Sequence, residues 1–230
     1  MAISYIRETN NSSTGTTSLP ITPASSVAAG TLLVLYVAEG LGSGVSTVSV
    51  SDTRSNTWSK FIEGGCGSEA PSHTVSGWYA VMNSTNTLTI SVVPSASASV
   101  RSSLTEYSGT WGSTPFDAGK SSASAGTGPR NTGSITPTAA DALLVAFCFA
   151  NLGATYSSAG TGLTLLTLIN SRAISAYQIA TTVAAYSAEF AYTSTARTSG
   201  AAIGAFVESA ASGPTPTPAF GRYGVRGPVR

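Results

Sequence analysis

Two apolar runs of strand length dominate the pattern of hydrophobic and polar positions. They occupy residues 32–38 and 142–150, and because they are apolar at consecutive positions, both faces of each segment need cover. Shorter segments, such as 48–50, 88–92 and 163–168, place apolar residues between Ser or Thr. Such alternation is typical of strands with one buried face. The pattern predicts an all-β, antiparallel protein.

The chain repeats itself in the same order of elements. Residues 22–38 read TPASSVAAGTLLVLYVA and residues 136–150 read TPTAADALLVAFCFA, which aligns Leu32 with Leu143. Further on, 77–92 matches 175–192, and 104–109 matches 203–209. The matches place Tyr79 in register with Tyr177 and Tyr107 in register with Phe206. They predict a duplicated unit, at about 22–109 and 136–209, within a body of residues 1–211.

The strand spacing predicts a β-sandwich of jelly-roll type. Each half offers about five recognisable strands, including 77–82, 103–108 and their counterparts 174–180 and 201–207. One sandwich to which both halves contribute is favoured over two small ones. The Ala-rich stretch 174–192 has helical propensity, but its match to the alternating first half favours strands.

Residues 212–230 differ in character and read SGPTPTPAFGRYGVRGPVR. Alternating Pro and Thr favour an extended, polyproline-like segment that enters neither a helix nor a central strand. The default interpretation of such composition is a disordered tail. The residues able to bind favour a C-terminal arm that docks onto a neighbouring chain: Phe220, Arg222, Tyr223, Arg226 and Arg230.

Charged residues are only 9% of the chain, and the net charge is +1. Three of the 11 basic residues lie in the arm, so the body has no clustered basic face of the kind that binds nucleic acid. No apolar stretch is long enough to span a bilayer, and the first residues do not resemble a signal peptide. Two free thiols, Cys66 and Cys148, are favoured over a disulfide. The expected partners therefore include neither nucleic acid nor membrane.

Reactive groups are sparse. His73 is the only histidine, and no nucleophile elbow accompanies it. Cys66, His73 and Cys148 lack zinc-ligand spacing, and the acids are scattered. Glu106 is the best candidate for a buried acid, yet its counterpart in the second half is Ala205. We expect no enzyme, no cofactor and no metal.

Tryptophans offer a different chemistry. Trp78 lies on a predicted strand and is assigned to the core, whereas Trp58 and Trp111 fall in loop-like stretches. Exposed aromatic faces there could stack on sugar rings. Packing is the favoured role for Trp58 and Trp111, and glycan contact is the alternative.

Several strings resemble a known group of proteins. SDTRSNTWSK resembles an Asp-x-x-Gly-Asn-Thr-aromatic turn, with Ser55 where Gly is commoner. Together with GWYAVMNSTNTLTISV, LTEYSGTWGSTPFDA and ALLVAF, it is similar to a loose group of β-sandwich, jelly-roll-like structural proteins found in tailed-phage virions and on bacterial surfaces. The resemblance covers about residues 20–208 and implies a virion or surface role without an active site.

The sequence thus leads to an expected function. The expectation is a non-enzymatic phage virion protein that decorates or cements the capsid or tail, binds other virion proteins through its arm and forms a homo-oligomer in the assembly. The alternative is a receptor- or glycan-binding module on a phage fibre or bacterial surface, which would be extracellular.

Overall fold

Antiparallel β-strands form the regular structure of the protein in the computed structural model, which describes residues 2–40, 46–65, 73–125, 129–150, 153–194 and 198–209. These residues contain no helix, which confirms the predicted all-β class. None of the described segments is a helix long and apolar enough to cross a membrane. The C-terminal arm at 212–230 lies outside the described residues.

The first eight strands build two sheets. A five-stranded sheet has the order β1-β8-β3-β6-β5, and a three-stranded sheet has the order β2-β7-β4. The strands are β1 (Ser4–Thr16), β2 (Leu19–Ile21), β3 (Leu32–Gly40), β4 (Thr47–Asp52), β5 (Ser59–Gly65), β6 (His73–Val81), β7 (Ile90–Pro94) and β8 (Ala98–Ser108).

The last eight strands repeat that order. The five-stranded sheet is β13-β14-β11-β16-β9 and the three-stranded sheet is β10-β15-β12, so each strand lies where the strand eight positions earlier lies in the first half. The strands are β9 (Phe116–Ala125), β10 (Arg130–Asn131), β11 (Ala142–Ala150), β12 (Ala154–Ser158), β13 (Thr164–Leu165), β14 (Ala173–Ala180), β15 (Glu189–Ser194) and β16 (Thr198–Phe206).

No hydrogen-bonded sheet among the described residues mixes strands of the two halves. The expectation of one interleaved sandwich is therefore wrong, as is the count of about five strands in each half. The missed edge strand β1 reads SYIRETNNSSTGT and is nowhere fully buried along its length. Its pairing with β8 rests on backbone hydrogen bonds, which leave little trace in hydrophobic alternation.

The other strand predictions fared better. The Ala-rich stretch 174–192 contributes β14 and β15, which confirms strands over a helix. In contrast, the predicted strand at 163–168 shrinks to β13, Thr164–Leu165. In the two halves, Tyr79 lies opposite Val34 and Tyr177 lies opposite Val145.

The two apolar runs form the central strands β3 and β11, which are buried along their whole length. Alternate residues of β3 enter two different cores. Leu33, Leu35 and Val37 face the three-stranded sheet of the first half, whereas Leu32, Val34, Tyr36 and Ala38 face the second half. Strand β11 does the same, with Leu143, Val145, Phe147 and Phe149 in the shared core. The second face of each strand is thus covered within the chain.

Aromatic rings fill this shared core. Tyr36 and Phe147 occupy equivalent positions of β3 and β11 and stack with centroids 5.4 Å apart. The Tyr36 hydroxyl donates a hydrogen bond of 2.8 Å to the Val145 carbonyl in the other half. Complete burial raises the pKa of Tyr36 well above its ordinary value, so this hydroxyl stays protonated and remains a donor.

Two aromatic triads flank the stacked pair, and each takes two rings from one half and one from the other. Equivalent positions fill equivalent places, as in an isologous dimer interface. One triad comprises Tyr5, Tyr107 and Tyr177, with centroid distances of 4.8–5.9 Å. The other comprises Phe116, Phe206 and Tyr79, with centroid distances of 5.7–6.4 Å.

Phe61 breaks the symmetry between the triads. Its ring, from β5, contacts Tyr36, Phe116 and Phe206 at centroid distances of 5.1–5.6 Å. A Cβ on Gly204 would lie 2.6 Å from the Phe61 ring. Glycine at this strand position therefore leaves the space that Phe61 occupies.

Gly204→Ala is expected to destabilise the protein by about 1–3 kcal/mol, because the new methyl group overlaps the Phe61 ring. Urea unfolding measures the loss. In a Phe61→Ala background the cost of Gly204→Ala should shrink sharply, which a double-mutant cycle detects. Gly112→Ala is the control, since its nearest neighbour would be 3.6 Å away. Equal costs of Gly204→Ala in both backgrounds would contradict the explanation.

Candidate functional site

The turn between β4 and β5 carries the resemblance noted in the sequence, and Asp52 organises it. Its Oδ1 accepts hydrogen bonds from the backbone N–H of Arg54 (2.7 Å) and Asn56 (3.3 Å), and its Oδ2 accepts from Asn56 Nδ2 (3.0 Å) and Trp58 Nε1 (2.8 Å). An aspartate that holds its own following backbone is an Asx-type turn. Its carboxylate thus has a structural role.

Ser55 lies at the tip of this turn with φ of 56°. Glycine, which is commoner at this position in the group that the chain resembles, adopts this left-handed conformation without a Cβ penalty. The departure at Ser55 is therefore tolerated at a conformational cost.

The two candidate tryptophans do not form one platform. Trp58 is half-buried and packs against the core between the two sheets of the first half. It donates its indole N–H to Asp52. Trp111 is half-buried against the shared core, donates to the Tyr107 carbonyl at 3.3 Å and lies over Gly109. Both have packing roles and belong to different clusters.

The acid and thiol candidates separate as well. Glu106 is buried and forms a 2.6 Å ion pair with Arg7, which in turn donates to the carbonyls of Ser25 and Ser26. Burial raises the pKa of Glu106 and the bond to Arg7 opposes the rise. Cys148 lies in the core between the two sheets of the second half, whereas Cys66 lies outside the described residues.

His73, Glu63 and Glu69 lie within or beside the loop that joins β5 to β6. His73 opens β6 opposite Gly40. Glu63 pairs with Lys60 at 2.5 Å, and Glu69 falls outside the described residues. Within the described part of the chain, no three His, Cys, Asp or Glu side chains are grouped to hold a metal ion.

A buried acid that the sequence reasoning missed is Glu39, at the end of β3. It is 1% exposed and accepts a hydrogen bond from Thr47 Oγ1, while its Oε2 has no partner. Thr47 also accepts from Ser76, which accepts from Trp78 Nε1 at 3.1 Å. Desolvation raises the pKa of Glu39 to about 7. The only sequence signal was a carboxylate directly after an apolar strand.

Two polar grooves lie at equivalent places in the two halves. The bridges Val27–Asn86 and Ile135–Tyr186 define the correspondence, which aligns Thr87 with Ser187 and Thr89 with Glu189. The first groove has a volume of about 200 Å³ and is lined by Thr22, Thr53, Arg54, Thr87, Leu88 and Thr89. The second has a volume of about 560 Å³ and is lined by Ser158, Gly160, Thr161, Gln178, Ala185, Tyr186, Ser187 and Glu189.

Sequence reasoning missed the second groove. Its residues carry no motif, and the only signal was a difference between the repeats: the Asp52-to-Trp58 turn has no counterpart in residues 159–163, which read AGTGL. The groove is a concave polar surface in the second half, with a volume of about 560 Å³.

Ser55→Gly is expected to raise the free energy of unfolding by up to about 1 kcal/mol, since it removes the Cβ penalty at a positive φ. The midpoint of urea unfolding measures the gain. Ser55→Ala is the control: it retains the Cβ and should bring no gain. A lower midpoint for Ser55→Gly than for Ser55→Ala would contradict this account.

Glu39 is expected to make the protein less stable as the pH rises. Its folded-state pKa of about 7 lies above the ordinary 4.5, so the folded state binds the proton more tightly. Stability is full below about pH 4.5, falls as the pH rises to about 7 and stays low above it, by about 3 kcal/mol in total. Unfolding by urea at pH 5 and pH 8 measures the change.

Glu39→Gln should abolish most of that loss, because the amide cannot ionise. Glu189→Gln, at an exposed acid of the second half, is the matched control and should keep it. If the difference between pH 5 and pH 8 is the same in the Glu39→Gln variant as in the parent, Glu39 is not the responsible group.

Within the chain, hydrogen-bond partners are present for Asp52, Glu106, Trp58 and Trp111. Comparison of the chain with models of known protein families, with curated proteins and with solved structures finds no match.

Proposed function

We propose that the protein is a non-enzymatic structural protein of a tailed-phage virion, which decorates or cements the capsid or tail surface. In this proposal the body is a pair of jelly rolls that arose by duplication, and residues 212–230 form an arm that anchors it to neighbouring subunits. The identity of those subunits, other virion proteins or further copies of the chain, belongs to the same proposal.

The observation that carries the proposal is the repeated strand order. The orders β1-β8-β3-β6 and β2-β7-β4 correspond to the two sheets of a jelly roll, with β5 added to the larger sheet, and the second half has the same order. Jelly rolls are frequent in viral capsid and lectin domains. This support is an analogy of fold, and the surface and the arm must supply the rest of the argument.

The surface supports an assembly role more than a lectin role. With 9% charged residues and a net charge of +1, the protein has little electrostatic protection against association. Such a surface suits a protein that is surrounded by partners. Trp58 and Trp111 are half-buried, and their indole N–H groups are already used, which leaves the glycan alternative without a specific observation in its favour.

The body itself offers little apolar surface for docking. Among the described residues, the large hydrophobic side chains that are exposed are Ile6, Leu168 and Val183. Residues 212–230, in contrast, carry Phe220, Tyr223 and three arginines, and protein interfaces are enriched in these residue types. Anchoring therefore falls to the arm, whose arginines can bond carboxylates and backbone carbonyls.

Deletion of residues 213–230 is expected to leave the body folded, because the cores lie within residues 3–207, but to abolish incorporation into particles. Circular dichroism and thermal unfolding check the fold, and quantitative mass spectrometry of purified particles measures incorporation. A variant with the order of residues 213–230 scrambled is the matched control for composition and should also fail. Normal incorporation of the truncated protein would overturn the arm proposal.

A further inference from the structure

An arginine of the chain lines the first of the two equivalent grooves. Arg54 lines the groove and donates its Nε to the Thr87 carbonyl at 2.9 Å. The Asp52 carboxylate fixes the backbone of Arg54 through a 2.7 Å hydrogen bond, so the side chain leaves the turn in a set direction. In the first half, a guanidinium therefore bonds to a backbone carbonyl at this groove.

The second half has the same groove without the arginine. Residues 160–162 are Gly-Thr-Gly, and the glycines have φ of 94° and 82°. A Cβ on Gly160 would lie 3.3 Å from the Glu189 N atom, so the chain passes close to the strand that carries the acceptors. Because no long side chain leaves this turn, the groove widens from about 200 to about 560 Å³.

The chemistry of the wider groove is that of an acceptor site. Glu189 replaces Thr89, which adds an exposed carboxylate, and the carboxylate forms no ion pair within the described residues. The buried Oε1 atom of Gln178 has no hydrogen-bond partner. No Lys, Arg or His lines the groove. A guanidinium, with five N–H donors and a positive charge, complements this set.

We infer that the groove between Gly160 and Glu189 is a docking site for an arginine side chain, and that the occupant is the C-terminal arm of a second copy of the chain. This deepens the proposed function and rests on it. The arm carries three arginines on a segment rich in Pro and Gly. At about 3.1 Å per residue in extended form, a segment of its length reaches roughly 50 Å, which is enough to reach an adjacent subunit.

An ion pair between the Glu189 carboxylate of one copy and an arginine of the arm of another copy joins the two head to tail. The arm of one copy enters the groove of the next, so the two surfaces in contact differ, and repetition generates a ring or an open array. The first groove is the poorer receptor, because it is smaller, Arg54 lines it and no carboxylate does. One docking site per chain follows.

The test uses the full chain with Arg222, Arg226 and Arg230 replaced by Gln, which prevents its own arm from competing. A fluorescent peptide of residues 213–230 is titrated against it, and anisotropy reports binding. We expect saturable binding that Glu189→Thr, the residue of the first half, weakens at least tenfold. Glu63→Gln should leave it unchanged. A peptide with citrulline in place of arginine should not bind.

Equal binding by the Glu189→Thr variant, or by the citrulline peptide, overturns the inference. Incorporation into particles separates it from the proposed function. If truncation at residue 212 abolishes incorporation while Glu189→Thr incorporates normally, the arm anchors the protein elsewhere and the groove is not its site. If the truncated chain incorporates normally while the peptide still requires Glu189, the groove chemistry stands and the proposed arm function fails.

Discussion

The packing of the two five-stranded sheets against each other is the interaction on which the rest of the structure depends. Tyr36 stacks on Phe147 at its centre, and the hydrogen bond from Tyr36 to Val145 crosses between the halves. Further bonds join Ser103 to Ser175 at 2.6 Å and the Thr167 N–H to Glu8 at 2.9 Å. Without this contact, β3 and β11 would each expose an apolar face too large for a soluble surface. The two halves are therefore partners within one chain.

The symmetry of that contact and its exceptions suggest how the halves came to differ. Equivalent rings form the flanking triads, as they would in a dimer of identical units, but Phe61 enters from one side only. The glycine at position 204 leaves room for it. At the far ends of the sandwiches the difference is larger. Arg54, from the Asp52 turn, lines the smaller groove, whereas the Gly-Thr-Gly turn borders the larger one.

Polar and charged groups in this protein serve structure. Asp52 holds a turn, Glu106 pairs with Arg7, and Glu39 ends a buried network with Thr47 and Ser76. Ionisation of a buried carboxylate with a raised pKa destabilises the folded state at neutral pH. The hydrogen bonds around Glu39 offset only part of this destabilisation. A charge-poor, hydroxyl-rich surface outside these networks fits a body that is held in place by its neighbours. In the proposed function, the arm and the second groove are the places where the chain meets its neighbours.

The sequence by itself determined the strand class, because apolar runs and period-two alternation depend on local side-chain order. Tyr79 and Tyr177, and likewise Tyr107 and Phe206, occupy the equivalent positions that the repeat predicts. Hydrophobic alternation could not predict the polar edge strands β1 and β9, because they pair with their neighbours through backbone hydrogen bonds. Only the tertiary structure decided that the halves form separate sheets packed face to face, because the same two-sided apolar strand can be covered by another half, a loop or another subunit. It also decided the role of Glu39 and the opening of the second groove, which depend on groups far apart in the chain that meet only after folding.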